Sequence, residues 1–250
     1  MRKHKSPFAA ERITPAALTK EVRRHPALDN KFYTMWRITK VTPDQFDVLM
    51  TNYFPVVRSF PGILASLLSR MSHVSAAAEY AETLYSELGS GNPAEAHSLL
   101  LTQTMGALGK KLGSRWRADT QTVMGSILSS TRNLINGMQD GYGSRELPFA
   151  VGMQLGLEFM AYWMLAYLYE GMEVNYASLW PSRADFYRDM NYFYSHIGST
   201  EKEHEKQALA VAMSFFHNPE GRHLLIQGFY NQLNLWAAHW KTLHRTMIAV

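Results

Sequence analysis

The chain has no cysteine. That rules out a disulfide framework, a thiolate nucleophile, an iron–sulfur cluster and a cysteine zinc site. Any metal must therefore be held by nitrogen and oxygen ligands, a set suited to iron, manganese or zinc. The lack of thiols also fits a reducing, cytoplasmic setting. Charge is scarce: 18% of the residues are Asp, Glu, Lys or Arg, against roughly 25% in an average domain. This predicts either a large buried fraction or surface covered by a second subunit, a homodimer being the commonest such assembly. There is no dense Lys/Arg stripe interleaved with aromatics, and the formal charge is a small +4, so a nucleic-acid partner is not expected. Also missing are a His-Glu-x-x-His zinc motif, a glycine-rich phosphate loop and a nucleophile elbow. No flavin or haem motif is present, nor any strand-like alternation, internal repeat or low-complexity linker.

What is present is a 250-residue chain with 46% hydrophobic content, enough for one continuous core. Residues 1–13, beginning MRKHK, read as a flexible basic arm without the apolar run of a signal peptide. Residues 14–250 read as one all-α domain. Helix-start signals recur: Thr14-Pro15, a helix over Asn30 to Ile38, and Thr42-Pro43-Asp44-Gln45 with a cap, a first-position proline and a capping-box glutamine. The helix that follows contains Pro55 and Pro61, which predict a kink or a division. A segment from Val74 to Leu88 ends at Gly89-Ser90-Gly91, and Asn92-Pro93-Ala94-Glu95 predicts a restart. Further helices are expected over about 117–137, around Glu158, from about Arg183 through Phe216, and from Pro219 to the end, with a loop at 140–144.

The stretch Leu147 to Leu168 is long enough to span a bilayer. However, Gln154 and Glu158 stand near its middle, where an ionised carboxylate is costly in lipid. A central helix buried in protein is the better reading, so no membrane partner is expected.

Glu158 is the sharpest anomaly, the only acid between Glu146 and Glu170, flanked by Leu155, Leu157, Phe159, Met160 and Trp163. Either it is buried, and then paired, protonated or metal-bound, or it lies on a narrow wet stripe with Gln154 and Tyr162. Gly152 and Gly156 would permit close helix approach. The second feature is HIGSTEKEH at 196–204. Glu201 and His204 form a Glu-x-x-His pair, but on a regular helix His204 lies about 80° round from His196. The polar groups share one site only if the helix is irregular, for example through a π-bulge near Gly198 to Thr200. Otherwise EKEHEK is a solvent face, the preferred reading for Glu203, Glu205 and Lys206. The third feature is Glu87 at the end of one helix and His97 in the second turn of the next, which the Gly89–Asn92 turn can bring together. A ferritin-like di-iron site needs two Glu-x-x-His pairs, and one is present.

Three stretches, LYSELGSGNPAEAHSLL at 84–100, GLEFMAYW at 156–163 and YFYSHIGSTEKEH at 192–204, resemble in order the haem-oxygenase-like diiron oxidases. These iron-containing redox enzymes are related in fold to thiaminase and pyrroloquinoline-quinone synthase proteins. The resemblance covers roughly residues 25–215 and implies an all-α, single-domain haem-oxygenase-like helical bundle. It implies metal ligands at Glu87, His97, Glu158, His196, Glu201 and His204, with Glu87, Glu158 and His196 central to catalysis. The implied cofactor is Fe(II), two per chain, with Mn as a substitute. The implied chemistry is oxidation by O2 of a small organic substrate, such as an amine, amino acid or fatty acid. The family pattern has an acid four residues after the first histidine of the late helix and a histidine three further on. Here those places hold Thr200 and Glu203, and Glu201 and His204 are each displaced by one. Either a bulge restores the spacing or one metal site is weakened or lost. Phe159, Trp163, Met190 and Tyr192 either line a substrate cavity or belong to the ordinary core.

Two other functions stay open. One is a metal-free, degenerate member of the fold acting as a cofactor-independent oxidase or a binding protein. The other is a non-enzymatic interaction protein with Glu87, His97, Glu158 and His196 scattered. A thiaminase-type hydrolase is disfavoured, because its cysteine nucleophile cannot exist here.

Overall fold

The structure is a computed structural model and describes residues 14–118 and 127–250, with the backbone alone at 16 and 199–201. The proposed arm over 1–13 lies outside the described residues, as does part of the expected 117–137 helix. Among the described residues every regular element is helical. Eleven α-helices follow in order: α1 Pro15–Val22, α2 Lys31–Ile38, α3 Pro43–Leu68, α4 Val74–Glu87, α5 His97–Leu112, α6 Ser129–Tyr142, α7 Leu147–Tyr176, α8 Arg183–Asp189, α9 Asn191–Ser195, α10 Glu201–Phe216 and α11 Pro219–Met247.

The expected caps form. The Thr14 side chain accepts from the Ala17 N–H, Asn30 caps α2, and Thr42 with Gln45 closes a reciprocal capping box on α3. Other boundaries differ. α3 runs unbroken through Pro55 and Pro61, because packing of its buried face holds the helix together where two backbone hydrogen bonds are missing. Asn92 caps only a 3₁₀ turn, Pro93–Glu95, so His97 is the first residue of α5 and not part of its second turn. α6 continues to Tyr142 through the expected loop. The long helix expected from Arg183 is divided into α8, α9, a π turn at His196–Thr200 and α10.

α7 is the axis of the bundle, packed chiefly against α11, α10 and α2. It is apolar on all sides, and every residue from Ala150 to Ala161 is buried, as expected of a helix enclosed by others. The helical stretch Leu147–Leu179 is long and apolar enough to cross a membrane, yet 78% of its most apolar window is buried inside the protein.

Glycines set how closely α11 approaches α7. A Cβ on Gly152 would stand 1.9 Å from the Leu225 carbonyl oxygen, and one on Gly228 1.9 Å from that of Phe149. One turn on, a Cβ on Gly156 would meet the Phe229 oxygen at 2.8 Å. Backbone here lies against backbone, so neither helix can yield by a rotamer change. Gly152→Ala is expected to lower the unfolding free energy by about 1–3 kcal/mol or more. Gly106→Ala in α5, where nothing lies within 4 Å of the added atom, is expected to raise it by about 0.4–1 kcal/mol. Urea titration of both variants checks the pair, and equal effects would contradict this account of the α7–α11 contact.

Candidate metal centre

Four segments bring acids and imidazoles to one place beside α7. Glu87 closes α4 and His97 opens α5. The connection reverses through Gly89 (φ 92°), Ser90 (φ 51°) and Gly91 (φ 92°), left-handed geometry that glycine adopts without steric cost. A side chain at 89 would meet the Asn92 oxygen at 2.2 Å. The reversal sets Glu87 Oε2 3.0 Å from His97 Nδ1. His196 opens the π turn and places its Nε2 2.9 Å from the same His97 nitrogen. α4 is held against α10 by the buried Thr83 hydroxyl, which donates to Gln207 Oε1 at 2.9 Å.

The π turn carries the register of the late helix. It absorbs one extra residue, so the eight-residue step from His196 to His204 closes to about 20° of helix rotation instead of about 80°. His204 accordingly points inward, 97% shielded from solvent, where the two residues before it, Lys202 and Glu203, are exposed. Its Nδ1 is 3.9 Å from Glu158 Oε2, and its ring centroid is 6.4 Å from that of His97. The Glu201 side chain lies outside the described residues. Glu203 and Lys206 face solvent, as the charged-face reading expects, and Glu205 is half-buried.

Glu158 and Gln154 are both buried, which removes the wet-stripe alternative. The carboxylate is held from below by a relay that sequence reasoning missed. The Tyr142 hydroxyl donates to Gln154 Oε1 at 2.8 Å, and Gln154 Nε2 donates to Glu158 Oε1 at 2.5 Å. Gln154 stands one helical turn before Glu158, a spacing visible in the sequence. Tyr142 comes from the preceding helix, and no local pattern signals its approach.

The electrostatics favour neutral imidazoles at His196 and His204 beside an ionised Glu87. Burial, with the neighbouring His97, lowers the His196 pKa to about 3. Burial also lowers that of His204. Burial raises the Glu87 pKa, but the adjacent His97, with His204 and His196 beyond it, more than offsets this and leaves the acid below its ordinary value. Burial and the nearby Glu158 push the Tyr80 and Tyr142 phenols up, so both stay protonated.

The hydrogen bonds reveal what this set can hold. His196 Nδ1 lies 2.5 Å from the Tyr192 carbonyl oxygen. A carbonyl only accepts, so Nδ1 carries the proton and Nε2 presents a lone pair to the cluster. That is the arrangement by which a backbone carbonyl orients a metal-binding histidine. His97 Nδ1 then lies between two acceptors, Glu87 Oε2 and His196 Nε2, and one N–H cannot serve both well. A divalent cation taking lone pairs from all three atoms would reconcile them. Among the described residues no three such groups form a finished ion cage, because they are turned onto one another. In donor type, burial and orientation they suit iron, manganese or zinc.

Beside the cluster is a cavity of about 70 Å³ lined by Glu87, His97, Glu158 and His196 together with Tyr53, Phe60, Leu157, Met164, Tyr192 and Trp236. Of the four aromatic and methionine candidates named from sequence, Tyr192 lines it and Phe159, Trp163 and Met190 do not. No Lys or Arg is among the lining residues.

Residues 48–237 match the iron-containing redox enzyme family. The chain belongs to that family. Solved structures give the fold independently. A CADD-like protein of unknown function from Nostoc punctiforme PCC 73102 superposes with a TM-score of 0.71 at 17% identity, covering 94% of this chain and 98% of that one. A TenA homologue from Pseudomonas syringae pv. tomato DC3000 gives 0.70 at 13% identity, covering 98% and 99%. A domain of unknown function with a heme oxygenase-like fold from Shewanella denitrificans OS217 gives 0.63 at 13%, covering 93% and 89%. The haem-oxygenase-like all-α fold expected from the sequence is therefore the one observed. Comparison with curated proteins gives no significant match.

If the π turn exists to accommodate one extra residue, deleting Gly198, which is exposed and has no neighbour within 4 Å of its Cα substituent position, should convert it to regular helix. His196 and His204 would then stay on one face. The deletion variant is expected to keep divalent-metal uptake and to melt at or above the parent temperature. Inserting an alanine after Gly198 is expected to abolish uptake, and calorimetry with metal titration distinguishes the two. Loss of uptake in the deletion variant would overturn the register argument.

Proposed function

We propose that this iron-containing redox enzyme is a non-haem iron-dependent oxidase or oxygenase that uses O2 to oxidise a small organic substrate. Two ferrous ions per chain would be held by Glu87, His97, His196, Glu158 and His204, with Glu201 added from its place in the Glu-x-x-His pair. Mn would occupy the same ligands. The observation that carries this reading is the convergence of two buried acids and three buried imidazoles from separate helices, with His196 Nε2 turned inward by the Tyr192 carbonyl. A non-enzymatic interaction protein would have no reason to bury and converge these groups.

Bound ferrous iron supplies the electrons that activate dioxygen, which apolar side chains cannot do. The chain's own residues do the rest. Gln154 fixes one oxygen of Glu158 and leaves Oε2 facing His204. The Tyr192 carbonyl fixes the His196 tautomer. The apolar cavity wall excludes bulk water, and its size admits dioxygen with the reacting end of a substrate, far below the several hundred Å³ of a drug-sized pocket. With no Lys or Arg in the lining, no protein cation there would pair with a charged group on the substrate. The substrate is a small molecule, and the setting is a reducing cytoplasm, consistent with the lack of thiols.

Anaerobic loading with ferrous iron, followed by metal analysis, is expected to give close to two irons per chain. Glu158→Ala and His196→Ala are each expected to lose most of that iron while keeping the far-UV helix signal. Full iron occupancy in either variant would show the ligand set to be wrong. No specific uptake by the parent would instead favour the metal-free member of the fold.

A further inference from the structure

α3 stands between two spaces of different character. Its residues Tyr53, Val56, Val57 and Phe60 line the cavity beside the Glu/His centre. Met50, Phe54, Arg58 and Ser59 line a groove on another flank, roughly a third of a turn round the helix at about 100° per residue. The groove is bounded on its other sides by α6 and the segment 116–118, and its volume is about 530 Å³. That lies within the roughly 300–1,000 Å³ typical of a small-molecule pocket. The cavity at the centre is several times smaller.

Three arginines reach the groove from separate segments: Arg58 from α3, Arg117 from the chain after α5, and Arg132 from α6. No Asp or Glu is among its described lining residues. Arg132 donates to the Ile127 carbonyl oxygen. Arg117 donates to those of Ser114 at 3.1 Å and Trp116 at 2.7 Å. Between the arginines the lining is apolar, with Met50, Phe54, Ile127 and Ile135, and with Trp116 set edge-on to Phe54 at 5.6 Å and 71°. The walls are tied to α3 by polar contacts. Buried Asn52 accepts from the Leu128 N–H at 2.8 Å and the Thr131 hydroxyl at 2.7 Å, which fixes the start of α6. Asp47 accepts from the Arg115 and Trp116 N–H groups, each at 3.1 Å, which fixes the other wall.

We propose that this groove binds a small organic anion, its carboxylate or phosphate head among Arg58, Arg117 and Arg132 and its apolar or aromatic body against Phe54, Trp116 and Ile135. Charges of one sign set in a cleft with apolar walls attract a counter-ion more strongly than the same charges spread over a flat surface. The planar guanidinium fork matches the paired oxygens of either head. The three arginines are exposed, so water screens them and a bare anion gains little. The apolar lining supplies the rest of the affinity, so head and body are both needed. The groove shares no lining residue with the cavity at the centre. The bound anion is therefore away from the reacting atoms, and the assignment stands whether or not the centre holds iron.

Calorimetric titration of the full chain tests this, with the protein kept metal-free so that the Glu/His centre offers the probes no cation. The anionic probes are 1-naphthoate and 1-naphthyl phosphate. 1-Naphthol carries the same ring without the charge, and acetate and inorganic phosphate carry the heads without the ring. At least one naphthyl anion is expected to bind at one site per chain, about tenfold or more tighter than 1-naphthol and than its own bare head. The tighter of the two anions identifies the head. Arg58→Ala and Arg132→Ala, both at exposed positions, are each expected to weaken that anion about tenfold and to leave 1-naphthol and the far-UV helix signal unchanged. Arg24→Ala, exposed beyond the end of α1 and outside the groove, removes the same charge and is expected to have no effect. Equal affinity for 1-naphthol and both anions would overturn the proposal. So would anion binding unchanged in both groove variants, or weakened as much by Arg24→Ala. Bare heads binding as tightly as the naphthyl anions would reduce the arginines to a non-specific anion surface, which also overturns it.

Discussion

A carboxylate in the middle of a helix that is apolar all round must be neutralised or paired, because leaving it ionised and alone in the interior costs several kcal/mol. Glu158 creates that demand, and much of the surrounding architecture answers it. Gln154 and Tyr142 hold one oxygen from within the bundle. His204 stands across from the other. Because α7 is enclosed by other helices, the partners beyond Gln154 have to come from packed neighbours, Tyr142 from α6 and His204 from α10. The glycine-lined contact of α7 with α11 draws the bundle tight enough for them to do so.

The two halves of the centre are built by different local devices. On one side a reversal through Gly89, Ser90 and Gly91 brings Glu87 and His97 together. On the other, a π turn rotates His204 onto the face of His196. Both are departures from regular geometry placed next to buried polar groups. Backbone irregularity of this kind has a cost and survives where surrounding contacts compensate for it. The Thr83–Gln207 hydrogen bond, which joins α4 to α10 near both devices, is such a contact.

The hydrogen-bond pattern ties the geometry to chemistry. One His97 N–H between two lone pairs is a poor use of three polar groups in a protein interior, where each wants a partner. The same three atoms are a good set for a cation. The Tyr192 carbonyl adds direction, since it leaves His196 only one nitrogen to offer. Around this polar point the wall is aromatic and aliphatic, so charge is concentrated where solvent is excluded, and fields there act at low dielectric.

By itself the sequence determined the all-α class, most of the helix starts and the order of the three ligand-bearing stretches. Those features are local: caps, prolines and periodic apolar residues act within a few positions of one another. It also carried the condition for the late helix, that HIGSTEKEH needs one extra residue absorbed to bring both histidines inward. Only the tertiary structure decided that the condition is met, that Glu158 is buried, and that Glu87 meets His97 and His196. It alone revealed Tyr142 behind Gln154, Trp236 in the cavity wall, and the continuity of α3 through two prolines. The physical reason is the same in each case. These outcomes depend on which helices pack together and how closely, and that is set by summed side-chain packing over contacts distant in the chain.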